Sequence, residues 1–225
     1  MKKITVLLAE DHMIVREGFR KMLELENDLQ VVGEAENGRQ AVAMVKKLRP
    51  AVVLMDIAMP LLNGLEATRQ VLKALPATKV LILSAHSDDA YVKNATESGA
   101  VGFLLKQTSS HIVCEAIREV QKGKTFFSPT VARRLHQLDG KSLDHAGRSQ
   151  SRNARLTSRE MEVLQLIAEG KANKETAAEL GISIKTVEKH RERVMSKLKI
   201  HDTAGLTRYA ISAGIIESSV QLTIV

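Results

Sequence analysis

The 225-residue chain is longer than a typical small domain, and its 44% hydrophobic residues suffice for two modest cores. Its net charge of +7 is uneven: residues 1–122 carry 16 Lys and Arg against 15 Asp and Glu, residues 123–225 carry 17 against 11, so a polyanionic partner is expected for the second half. A lone cysteine, Cys114, excludes an internal disulfide framework, Glu10 and Asp11 end the opening apolar run too early for a signal peptide, and no run reaches membrane-spanning length, so a cytoplasmic protein with no membrane partner is expected.

Apolar runs at Ile4 to Ala9, Val52 to Met55, Val80 to Leu83 and Val101 to Leu105, with a weaker one at Leu29 to Val32, are short and rich in Val, Ile and Leu. Such runs predict strands buried on both faces. Between them lie helical periods, as where Val15, Phe19, Met22 and Leu23 repeat at i, i+4, i+7 and i+8. Strands alternating with helices predict an α/β domain over residues 1–122, with a parallel sheet covered on both faces.

The strands end in chemistry: VLLAED in Glu10 and Asp11, VVLMD in Asp56, VLILS in Ser84 and GFLLK in Lys106. In a parallel sheet these ends meet along one edge, where open α/β folds bind ligands. Any one of these residues alone reads as a solvated turn or a helix cap. Four strands delivering three carboxylates, a hydroxyl and an ammonium to one edge predict a site that needs a hard divalent cation, Mg²⁺ or Mn²⁺, and that suits phosphoryl transfer to a carboxylate. Asp56 is the best-placed nucleophile, Glu10 and Asp11 would hold the metal, Lys106 would pair with phosphoryl oxygens, and Ser84 would donate to the phosphate.

These residues, with MDIAMPLLNG around Asp56, Pro60 and Gly64, Ser84-Ala85 and FLLKQ around Lys106, make residues 1–122 similar to the receiver domain of two-component response regulators. The resemblance implies a (βα)5 doubly wound sheet of order 2-1-3-4-5, phosphorylation of Asp56 by a sensor histidine kinase, and a metal held by Asp11, Asp56 and the Ala58 backbone carbonyl with Glu10 assisting through water. It also implies a switch in which Ser84 moves toward the phosphate and the aromatic Phe103 turns inward behind it. Ala58 and His86 would tune how long the phosphate persists.

Residues 123–154 read as a linker, since Asp139 to Ala154 is rich in Gly, Ser, Arg and His and nearly free of apolar residues. From Leu156 the pattern is helical: Thr157 and Glu160 have capping-box spacing, and Asp202 and Gly214 bracket a last helix. Ala177, Gly181 and Val187 stand at helix-turn-helix spacing, a small residue for close crossing, a turn and a packing residue. At about 100° per residue, Ile184, Val187, Val194, Met195 and Leu198 share one face of the second helix, while Lys185, Lys189, Arg193 and Lys197 run along the other. The basic stripe alone is an ordinary solvated face; with the turn spacing and the excess charge it predicts a helix for the major groove.

LTSREMEVLQLIAEGKANKETAAELGISIKTVEKHRERVMSKLKI, within residues 155–216, is similar to the LuxR-type output domain of the NarL/FixJ response regulators. The resemblance implies a four-helix, all-α domain that contacts double-stranded DNA through Lys174, Ser183, Lys185, Thr186, Lys189, His190, Arg193 and Lys197. It implies a homodimer through the last helix at Thr203, Leu206, Thr207 and Ala210, and RNA polymerase as a further partner. Residues 217–225 form a tail to which no role is assigned.

The expected function is a phosphorylation-controlled, non-enzymatic transcription regulator. A dehalogenase-type phosphatase would need a second aspartate two positions after Asp56, where Ala58 stands. An RNA or protein adaptor would not need the turn triplet, and a vestigial aspartate site would not need every chemical group to be present.

Overall fold

The computed structural model describes residues 3–85, 89–127, 131 and 156–216, without the side chains of residues 89 and 90. His86, residues 132–154 of the expected linker and the tail 217–225 lie outside the described residues. The chain divides into two compact units, Met1–Gln150 and Ser151–Val225.

In the first unit β1 (Ile4–Ala9), α1 (Met13–Glu24), β2 (Leu29–Ala35), α2 (Gly38–Leu48), β3 (Val52–Asp56), α3 (Gly64–Ala74), β4 (Lys79–Ser84), α4 (Asp89–Glu97), β5 (Gly102–Leu105) and α5 (Ser110–Gln121) alternate as expected. All strand pairs are parallel, in the order β2-β1-β3-β4-β5-β6. The 2-1-3-4-5 order therefore holds, and it is extended by β6, Phe126–Phe127, inside the stretch read as linker. Two residues are too few for an alternation signal, but Phe126 and Phe127 pair with Gly102 and Phe103 and cover what would otherwise be an open sheet edge.

Alternation along the strands divides the core in two. Val6, Leu8, Val52, Leu54, Leu81, Leu83 and Leu104 face α1 and α5, while Leu7, Ala9, Val53, Met55, Val80, Ile82 and Phe103 face α2, α3 and α4. With both faces covered, each fully buried aliphatic side chain stabilises the fold by about 1.5–3 kcal/mol relative to exposure. Asn37 and Asn63 cap α2 and α3 by accepting from the backbone N–H of Gln40 and Glu66, which fixes where each helix starts.

The second unit comprises α6 (Ser158–Ala168), α7 (Asn173–Leu180), α8 (Ile184–Leu198) and α9 (Thr203–Ser212). Val163, Leu164, Leu166 and Ile167 of α6 are buried, as are Leu180, Val187, Val194, Leu206 and Ala210 of the other helices. The Thr157–Glu160 capping box forms as expected. Ile184, expected on the packed face of α8, is instead 44% exposed, because it occupies the first position of the helix, beyond the reach of α6.

The turn after β3 depends on Gly64. A Cβ there would collide with the carbonyl oxygen of Asp56, and the Gly64 N–H is spent on the Ile57 carbonyl at 2.8 Å. Gly64→Ala is expected to cost about 3 kcal/mol by overpacking. Gly18→Ala, in α1 where a Cβ would meet nothing within 4 Å, is expected to add up to about 1 kcal/mol. Chemical denaturation of both variants checks this pair.

Candidate functional site

The C-terminal ends of β1, β3 and β5 bring Glu10, Asp56 and Lys106 together. Lys106 Nζ lies 2.9 Å from Glu10 Oε2 and 3.0 Å from Asp56 Oδ1, and it also donates to Glu10 Oε1 at 3.1 Å. Glu10 and Asp56 are each only 2% exposed. Asp11 lies farther out, half-buried, and takes a 3.0 Å contact from the exposed His12 ring. Ser84, at the end of β4, is buried along the same edge, and its carbonyl accepts from the Lys106 N–H at 2.9 Å. Ala58 is half-buried in the turn beyond Asp56. Phe103 is fully buried within the core.

Electrostatics make this cluster costly. Burial pushes the Asp56 carboxyl up to about 7, the Glu10 carboxylate pushes the same way, and Lys106 offsets only part of the effect. Burial would lower the Lys106 ammonium, but Asp56 and Glu10 outweigh it and raise it, so it stays charged. Asp56 Oδ1 accepts the Ile57 N–H at 2.8 Å, whereas Asp56 Oδ2 is buried without a hydrogen-bond partner. A buried oxygen in that condition suits a cation. The residues present therefore fit a hard divalent metal, and Glu10, Asp11 and His12 also place one ligand atom each within 4.8 Å of one another.

In the second unit Ala177 is buried, Gly181 ends α7 in the left-handed conformation at φ 62°, and Val187 is fully buried on the inner side of α8. This is the turn the triplet predicts. Lys185, Lys189 and Arg193 are exposed along α8, and Lys174 is exposed on α7. Three other expected DNA contacts, Ser183, Thr186 and Lys197, have partners inside the domain. Ser183 caps α8 by accepting from the Thr186 N–H at 3.1 Å, and the two hydroxyls lie 2.8 Å apart. Lys197 pairs with the buried Glu160 at 2.7 Å. His190 is half-buried, its Nδ1 lacks a partner, and burial, then Arg193 and Arg159, lower its pKa, which favours the neutral ring.

The expected dimer residues also divide. Leu206 and Ala210 are fully buried in the domain interior, and the Thr203 hydroxyl accepts from Arg191 at 2.7 Å. Thr207 is half-buried. Sequence reasoning placed no structural role on Arg191 or on Arg159, which donates to the Leu180 carbonyl at 2.7 Å and so fastens α6 to the end of α7.

Residues 6–118 match the response regulator receiver domain family, and residues 154–210 match the luxR family of bacterial regulatory proteins. The chain is 39% identical over 207 residues to the transcriptional regulatory protein LiaR of Bacillus subtilis, covering 92% of this chain and 96% of LiaR. The chain is a response regulator of the NarL/FixJ family. Among solved structures it resembles the RcsB response regulator of Salmonella typhimurium, with a TM-score of 0.62 and 29% identity over 95% of this chain and 99% of that one. It also resembles RcsB in an RcsB–DNA complex, with a TM-score of 0.57 and 29% identity over 94% and 99% of the two chains. This response regulator is accordingly a DNA-binding transcription regulator. No helix among its described residues is long and apolar enough to cross a membrane.

Asp56 in the folded response regulator holds its proton up to about 7, against an ordinary 3.8. A carboxyl raised on folding contributes stability that is present below its unfolded value and is lost as pH rises through the folded one. Without divalent cations, stability is therefore expected to fall between about pH 4 and 7. Asp56→Asn should flatten that decline and raise the melting temperature at pH 8, as thermal denaturation across pH would show.

Proposed function

We propose that this response regulator receives a phosphoryl group on Asp56 from a sensor histidine kinase and, in that state, binds DNA through α8 as a homodimer in the cytoplasm. The observation that carries the reading is the buried Asp56 carboxylate, with one oxygen held by the Ile57 N–H and Lys106 and the other without a hydrogen-bond partner. One Asp56 carboxylate oxygen would attack phosphorus in line as the bond to the donor nitrogen breaks, leaving the other for the cation. Lys106 would follow the charge from Glu10 and Asp56 onto the phosphoryl oxygens, and the Ser84 hydroxyl would donate to one of them.

Asp11, Asp56 and the Ala58 carbonyl would hold Mg²⁺ or Mn²⁺, with Glu10 acting through water, and the bound ion offsets charge gathering on the phosphoryl group. The acid/base aspartate required for turnover on small substrates is replaced by Ala58, which supports a switch with at most slow self-dephosphorylation. Phosphorylation would add about −1.5 to −2 charge beside the remaining carboxylates and shift an existing equilibrium of β4, β5 and α5.

For DNA, the exposed cations Lys174, Lys185, Lys189 and Arg193 are the residues free to reach the duplex, and the RcsB–DNA complex supports duplex DNA as the partner. Lys197 is assigned to domain stability, through Glu160. A dimer through α9 would have to use its exposed side, with Thr203 and Thr207, because Leu206 and Ala210 are buried. RNA polymerase would be a further partner where the bound regulator activates transcription.

Intact mass after incubation with acetyl phosphate and Mg²⁺ tests the switch: the wild type should gain one phosphoryl group and Asp56→Ala none. Folded wild type that gains nothing overturns the phosphoacceptor role. In a duplex-binding assay with salt titration, Lys189→Ala and Arg193→Ala should each weaken binding and reduce the salt slope by about 1. Lys197→Ala should leave the slope unchanged and lower thermal stability.

A further inference from the structure

Among the described residues of the first unit, Arg16 is the one buried arginine, at 8% exposure, and it sits in the first turn of α1. Both facts count against it. Burial of a guanidinium is costly, and a cation at a helix N-terminus opposes the macrodipole. Its bonds show what it does there. Nη1 donates to the Glu10 carbonyl at 2.7 Å and lies 3.4 Å from the Asp11 carbonyl, while Nη2 donates to Glu36 Oε1 at 3.0 Å and Nε lies 3.4 Å from Glu34 Oε2.

The fork thus grips the backbone of the two residues whose carboxylates the proposed metal site uses, and its far side is anchored on the end of β2 and the turn before α2. That turn is itself tied down: the Glu36 N–H donates to Gln40 Oε1 at 2.8 Å, and Asn37 caps α2. The Glu10 N–H is fixed to the Ala35 carbonyl at 3.0 Å, so the acidic loop is held from both ends of its first residue. An apolar side chain could fill the same space at lower desolvation cost. It could not hold the Glu10 and Asp11 carbonyls.

We infer that Arg16 is a positioning residue for divalent-metal binding, setting the backbone of Glu10 and Asp11 so that their carboxylates face Asp56. The inference rests on the metal site proposed above. Groups that orient metal ligands typically change affinity by about 10–100-fold when removed. Lysine keeps the charge but lacks the planar fork, so it should recover only part of that loss.

The test is the Mg²⁺ dissociation constant of the full chain, measured calorimetrically, beside the melting temperature without metal. Arg16→Met should weaken Mg²⁺ binding about 10–100-fold, with Arg16→Lys between it and the wild type. Glu36→Gln, which keeps the bonds to the two carbonyls, should bind Mg²⁺ within a factor of about 3 of wild type, well short of that loss. A lower melting temperature with unchanged Mg²⁺ affinity in folded Arg16→Met or Arg16→Lys would make the role purely structural and overturn the inference. If neither variant folds, the Arg16 guanidinium ¹⁵N signals of the wild type decide: they should shift on Mg²⁺ addition, and invariance overturns the inference. Wild type that fails to bind Mg²⁺ at all would sink the metal site itself, a separate outcome.

Discussion

Two carboxylates nearly sealed from water and sharing one ammonium set the terms for the first unit. Glu10 and Asp56 are both 2% exposed and both lean on Lys106. Removing charges from water costs several kcal/mol per ion in folded proteins, and one cation cannot neutralise two anions. The fold tolerates this because each participant hangs on the end of a buried strand that hydrophobic packing holds in place. The surplus negative charge at that edge is the property a bound cation can exploit.

The neighbouring turns serve the same cluster. Gly64 lets α3 begin against the Asp56 carbonyl, and Arg16 holds the backbone beneath Glu10 and Asp11. Helix capping by Asn37 and Asn63 stiffens the two turns that border the edge. Precision here comes from backbone anchoring, since the acidic side chains repel one another and would otherwise splay apart.

The second unit sorts its cations instead of crowding its anions. Arg159, Arg191 and Lys197 are turned inward or sideways onto the Leu180 carbonyl, Thr203 and Glu160, where they join helices. Lys185, Lys189 and Arg193 are left on the open side of α8. The same residue types thus build the domain or stay open to solvent according to which side of the helix they occupy.

The sequence by itself determined the alternating β/α order, the parallel sheet, the convergence of Glu10, Asp56, Ser84 and Lys106, and the turn at Gly181, because each depends on periodicity, strand ends or a backbone conformation that one residue type permits. The tertiary structure alone decided the rest. Phe126–Phe127 became a strand only because β5 offered a free edge. Lys197 left the basic stripe because Glu160, 37 residues away, is buried within reach. Leu206 and Ala210 turned inward because α6 needed a partner for its apolar side, and Arg16 acquired its role from Glu34 and Glu36 across the sheet edge. Periodicity reports which face of an element is apolar; which partner a polar side chain meets depends on distances between elements that only packing sets.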